Sequence, residues 1–123
     1  MRPVFIDHVT VAVRDLEASR RFYEAALSPW DSRVIEYEPG VLGFGPEGSE
    51  DLVLVEGTPT TPLHLAFSAP DRETVDRFHE AALSAGGRDN GSPGERPHYH
   101  PGYYAAYAID PDGNNVEAVF HGS

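Results

Sequence analysis

Two histidines and a glutamate carry the most definite chemistry in this sequence. His8 and His64 each sit in a short stretch of apolar and β-branched residues, and Glu117 lies between Val116 and Ala118 close to the end of the chain. Two imidazoles and one carboxylate form the facial set that holds Fe(II), Mn(II), Ni(II) or Zn(II) while leaving coordination positions open to substrate. A carboxylate inside an apolar strand also calls for a partner, because burying it unpaired is costly. Spacing alone does not bring three such residues together; the elements that carry them must.

A second group lies in the segment from Asp89 to Gly102, DNGSPGERPHYHPG. Its glycines and prolines read as a loop, and its length suits a lid over a site. His98 and His100 could then act as acid or base, Tyr99 as a hydrogen-bond donor, and Arg96 as the clamp for a substrate carboxylate or phosphate. The plain alternative is a solvated surface loop.

Composition narrows the rest. The 123 residues suit one domain, 1–123. A net charge of −11 arises from 20 acidic residues against nine basic ones, all arginine. Lysine chemistry and a P-loop lysine are thereby excluded, and nucleic acid is a poor partner. With no cysteine there is no thiolate nucleophile, cysteine-held zinc or disulfide. The start alternates and carries Asp7 and His8 among its apolar residues, unlike a signal peptide, and no run is long enough to span a membrane, so a cytoplasmic protein is expected.

The elements that must position these residues come as a repeat. HVTVAVRDLEASRRFYEAALS, from His8 to Ser28, matches HLAFSAPDRETVDRFHEAALS, from His64 to Ser84, at ten of 21 positions without a gap. Each copy reads as a strand, a break at Asp15 or Asp71 with the carboxylate as N-cap, then a helix. Leu16, Phe22, Tyr23, Ala26 and Leu27 form the apolar stripe of the first helix; Val75, Phe78, Ala82 and Leu83 form that of the second, which Gly86 is placed to end.

Strands are expected at Arg33–Glu38, Val41–Phe44 and Asp51–Glu56, then weakly near Arg88, at Tyr103–Ile109 and at Asn114–His121. The chain is thus a β-α-β-β-β unit twice, an α+β protein with a first module of about 1–58 and a second of about 59–123. Aligning DLVLVEG with NVEAVFHG through their glycines sets Leu52 opposite Glu117 and assigns nine extra residues to the second copy, in Asp89–Gly102. In that alignment only the second copy has the glutamate, so one metal per chain is expected.

The motifs DHVTVAVRDLEASRRFYEAAL, LHLAF and DPDGNNVEAVF resemble the vicinal oxygen chelate superfamily of glyoxalase I, extradiol dioxygenases, fosfomycin-resistance transferases and bleomycin-binding proteins. The resemblance covers nearly the whole chain. It implies paired βαβββ modules whose mixed and antiparallel strands curve into a cup around a divalent metal, Fe, Mn, Zn or Ni, held by His8, His64 and Glu117. Leu52 stands where enzymes resembling glyoxalase I have a second carboxylate, which favours three-ligand branches.

Tyr107 matches a tyrosine that the dioxygenases and fosfomycin enzymes place near the metal, where its phenol could donate to a bound substrate oxygen; packing in the core is its other reading. Thr10, on the face of His8, matches the fosfomycin enzymes, although the chain ends before the arginine those enzymes use. The implied activity is that of a metal-dependent dioxygenase, lyase or isomerase acting on a small substrate that chelates through adjacent oxygens. The alternative is a bleomycin-resistance-like protein that sequesters a small molecule without catalysis. The resemblance also implies a homodimer, in which His8 of one chain would meet His64 and Glu117 of its partner; modules paired within one chain are the other arrangement. His79 and His121 are left outside the site.

Overall fold

A computed structural model describes residues 5–47 and 49–122. Two four-stranded sheets, each with one helix, follow the repeat. The first module runs β1 (Val9–Val13), α1 (Leu16–Ala26), β2 (Arg33–Glu38), β3 (Val41–Gly45) and β4 (Leu52–Glu56). The second runs β5 (His64–Ser68), α2 (Arg72–Ser84), β6 (Arg88–Glu95), β7 (Tyr104–Ile109) and β8 (Asn115–Phe120). The strand orders are β1-β4-β3-β2 and β5-β8-β7-β6, with β1–β4 and β5–β8 parallel and the remaining pairs antiparallel.

Both helices begin where an aspartate can satisfy a free first-turn amide. The Asp15 carboxylate accepts from the Ala18 amide at 3.1 Å, and that of Asp71 from the Thr74 amide at 2.8 Å. The Thr74 hydroxyl and amide together hold the Asp71 carboxyl below its ordinary range. Gly86, at φ +98°, follows the second helix in a left-handed conformation that a side chain would resist. Leu83 departs from its expected place on the apolar stripe and is 36% exposed, while His79 is turned inward and contacts the Asp89 carboxylate at 2.9 Å.

One core serves both modules. Val11, Val13, Phe22, Leu42, Phe44 and Leu54 from the first meet Val75, Phe78, Ala106, Ala108, Val116 and Ala118 from the second. The helices pack on each other, and Tyr23 donates from α1 to the buried Asp110 carboxylate at 2.6 Å. Among the described residues no strand pair joins the two sheets. Each sheet turns one face to this shared core and leaves the other face to be filled.

The segment Asp89–Gly102 departs from the expected lid loop. Most of it is strand: β6 runs along β7 to Glu95, with register shifts at Asp89/Gly91 and Gly91/Gly94. Bulges let a strand take up extra residues without losing its partner, and Pro93 is tolerated because β6 is an edge strand with one free side. Gly91 is needed here: it has φ +150°, and an added Cβ would lie 2.9 Å from Cδ1 of Tyr107. Only the turn from Arg96 to Gly102 remains a loop, closed by the Arg96 amide donating to the Tyr103 carbonyl at 2.7 Å.

Candidate functional site

Strand register decides which side chains share a face. In the second module His64 pairs with Asn115, Ala66 with Glu117, and Glu117 with Tyr107. Alternation then puts His64 and Ala66, Asn115, Glu117, Val119 and His121, and Tyr103, Ala105 and Tyr107 on the side away from α2. Leu65, Phe67, Ala106, Ala108, Val116 and Ala118 go to the core.

Glu117 is the centre of that face. It is 1% exposed, yet both of its oxygens are engaged: Oε1 meets His64 Nε2 at 2.7 Å, and Oε2 accepts the Tyr103 phenol at 2.5 Å. The pair is asymmetric, since the His64 side chain is 53% exposed and thus open to whatever covers the face. Tyr107 lies directly across from Glu117, its ring centroid 6.3 Å from that of His64. Burial and then the nearby carboxylate push its phenol up to about 12; burial and the Glu117 hydrogen bond raise that of Tyr103 as well. Both phenols therefore stay donors at neutral pH.

Arg96 reaches back over this face. Its guanidinium donates to the Ser92 carbonyl at 2.8 Å and stands 5.4 Å from the centre of the Tyr107 ring. Tyr99 packs on Tyr103 with ring centroids 4.8 Å apart, and His98 on Tyr99 at 4.2 Å. His100 is fixed by the Pro101 carbonyl, so its Nδ1 carries the proton, and its Nε2 faces His121 Nδ1 at 3.1 Å. The two imidazoles are inclined by only 20°, and both meet the Tyr103 ring edge-on.

His8 and Thr10 lie elsewhere. Thr10 belongs to the first sheet, on the face bearing Ala12, Val53, Val55, Val41, Gly43 and Ile35, and His8 lies one residue before β1 rather than inside the strand. His8 contacts the Asp7 carboxylate at 2.9 Å and is 54% exposed at the edge of a cleft of about 540 Å³ lined also by Tyr37, Val41, Glu50, Asp51 and Val53. Among the described residues no three His, Asp or Glu side chains gather at one point of the chain. His64 and Glu117 are brought together; His8 is not brought to them.

Register also corrects the match between the copies. Thr10, the counterpart of Ala66, pairs with Val53 as Ala66 pairs with Glu117, so Val53 and not Leu52 is the counterpart of Glu117. Aligning through glycines misses by one because the chain leaves β4 and β8 differently, and a slip of one residue turns every side chain to the other face. Leu52 is a core residue, 3% exposed, and Glu56 shares its parity. The asymmetry stands: no carboxylate occupies the equivalent place in the first module.

The family model for the "Glyoxalase/Bleomycin resistance protein/Dioxygenase superfamily" matches residues 5–118. The chain belongs to this superfamily. Among solved structures, a glyoxalase/bleomycin resistance protein from Albidiferax ferrireducens is 30% identical, with a TM-score of 0.75 over 93% of this chain and 96% of that one. A putative glyoxalase from Bacillus halodurans is 26% identical, with a TM-score of 0.71 over 94% of each chain. A superfamily enzyme from Burkholderia phytofirmans, 22% identical with a TM-score of 0.72 over 95% of this chain and 98% of that one, shares the fold. No curated protein matches. No helix among the described residues is long and apolar enough to cross a membrane.

Two residues that contact this cluster lie outside the candidates read from the sequence, Tyr103 and His121. The signal for both was parity: Tyr103 alternates in step with Tyr107, and His121 with Glu117. Tyr104, between the two other tyrosines, faces the opposite way and donates to Asp76 on α2.

Proposed function

We propose that this superfamily member is a divalent-metal enzyme whose centre is formed by His64 and Glu117 of one chain and His8 of a second copy. The carrying observation is the 2.7 Å contact between His64 Nε2 and the fully buried Glu117 carboxylate. The chemistry of this donor pair fits a cation, which would take the place of the Nε2 proton with the carboxylate already desolvated and aimed. Thr10 shares its face with Ala12, Val41, Val53, Val55 and Ile35, with Glu50 and Asp51 at the rim beside His8, and Phe5, Ile6, Ile35 and Tyr37 are exposed in the same module. Such a surface is what a second copy would cover in a homodimer.

A bound cation, Fe, Mn, Zn or Ni, supplies positive charge that polarises two adjacent oxygens of a small substrate and stabilises the negative charge the reaction develops. The chain's own residues supply the rest. Tyr103 holds Glu117 in place from behind. Tyr107, across from Glu117 and raised by burial and by that carboxylate in the metal-free chain, donates to a substrate oxygen above Glu117. Arg96 braces the Tyr107 ring, and Tyr99, His98 and His100 form the rim, where a histidine can exchange the substrate's proton with solvent. The reaction class is dioxygenase, lyase or isomerase.

The test is elemental analysis of untagged protein, followed by complementation. H8A and E117A chains are each expected to lose metal and activity, and a mixture refolded together regains both, because one of the two sites in the mixed dimer is intact. Metal retained by both single variants overturns the proposal. A metal-free protein that binds small molecules in the His8 cleft would instead support the sequestering function.

A further inference from the structure

Two arginines stack on tyrosines of β7, one on each side of the second sheet. Arg72 lies on the α2 side, 4.6 Å from the centre of the Tyr104 ring, and reaches the Glu95 carboxylate at 3.4 Å. Arg96 lies on the open side against Tyr107 and reaches no carboxylate among the described residues. Apart from Arg20, which pairs with Glu24 at 3.7 Å, it is the only arginine among the described residues that is not exposed. In a chain with 20 acidic residues, a half-buried cation without one of them calls for a counterion from outside.

Its place is built. Nη2 donates to the Ser92 carbonyl at 2.8 Å and Nη1 to that of Glu95 at 3.4 Å, which fixes the guanidinium and leaves the rest of its donor set for a ligand. Two glycines of β6 make room for it: an added Cβ would stand 3.4 Å from Nη2 at Gly91 and 3.1 Å from Nη1 at Gly94. Gly91 pairs with Tyr107, and Tyr107 with Glu117, so the guanidinium lies at the outer end of a row that crosses the sheet to the buried carboxylate. Two strand spacings make that row about 10 Å long.

We propose that the substrate carries a carboxylate, and that Arg96 binds it beside the Tyr107 ring while the rest of the molecule extends toward Glu117. This names the substrate class of the face described above and rests on the reading of that face as a substrate site. A guanidinium fork suits a planar carboxylate, and partial burial makes the pair stronger than one in open water. The Glu117 charge does not cancel the attraction, since it lies about one Debye length away and is already shared with Tyr103 and His64. The same spacing separates the carboxylate from the oxygens near Glu117 by about the length of a ring.

The test compares benzoate with benzamide, close in shape and different in charge, by calorimetric titration into metal-free protein. Benzoate should bind saturably and about tenfold more tightly than benzamide. Arg96→Gln should remove that preference and Arg96→Lys should restore part of it, with thermal melting confirming that both variants are folded. Equal affinity for the two probes in the unaltered protein, or a preference that survives Arg96→Gln, overturns the inference. Metal retained by E117A, which would overturn the metal centre, has no bearing on this comparison.

Discussion

Tyr103 donates its phenolic proton to Glu117 at 2.5 Å, so the carboxylate that touches His64 with one oxygen is held by a tyrosine through the other. The buried charge thus has a fixed orientation as well as a partner, which is what an outer donor to a metal-ligating carboxylate provides.

Removing that donor is the first prediction. Tyr103→Phe keeps the ring against His100 and His121 but leaves one Glu117 oxygen unpaired. Metal affinity, read by isothermal titration, is expected to fall about tenfold, and stability by about 1–3 kcal/mol. Unchanged affinity would mean that Tyr103 does not position the carboxylate.

Tyr107 gives a prediction in pH. Its phenol is raised above the ordinary value of 10 to about 12 in the folded chain, so the folded state holds this proton more tightly than the unfolded state does. Its contribution to stability is complete below pH 10 and is lost between pH 10 and about 12. Urea denaturation in steps across that range should show the loss, and Tyr107→Phe should lessen it. Ultraviolet titration should lose one phenolate transition near pH 12 in the same variant.

The register between the modules can be tested by placing a carboxylate on either side of β4. Val53→Glu sets it on the face away from the core, at the counterpart of Glu117, and should lower the thermal midpoint less than Leu52→Glu does. Leu52→Glu drives it into the core and should cost about 3 kcal/mol or more. If Leu52→Glu were the tolerated variant, the register would be wrong.

Tyr23 ties the modules together through Asp110, and burial followed by that carboxylate raises its phenol well above the ordinary range. Tyr23→Phe leaves a 5% exposed carboxylate short of a donor, which should cost about 1–3 kcal/mol in chemical denaturation. Tyr104→Phe removes a hydrogen bond of the same 2.6 Å length from a partly exposed tyrosine and should cost less.

Much of this molecule could be read along the chain. The ungapped repeat, the capping aspartates and the alternation of the strands determined two β-α-β-β-β units, because these signals are local and depend on a few neighbouring residues. The residue types of His8, His64 and Glu117 were equally visible. The tertiary structure decided what local signals cannot carry. Cross-strand register brought Tyr103 to Glu117 and set Val53, not Leu52, as the counterpart of Glu117. Pairing with β7 made a strand of the Gly- and Pro-rich β6, since ladder hydrogen bonds outweigh weak local preference. The two modules meet through their helices, because those apolar stripes share one core. That packing leaves His8 on one open face and the His64–Glu117 pair on another.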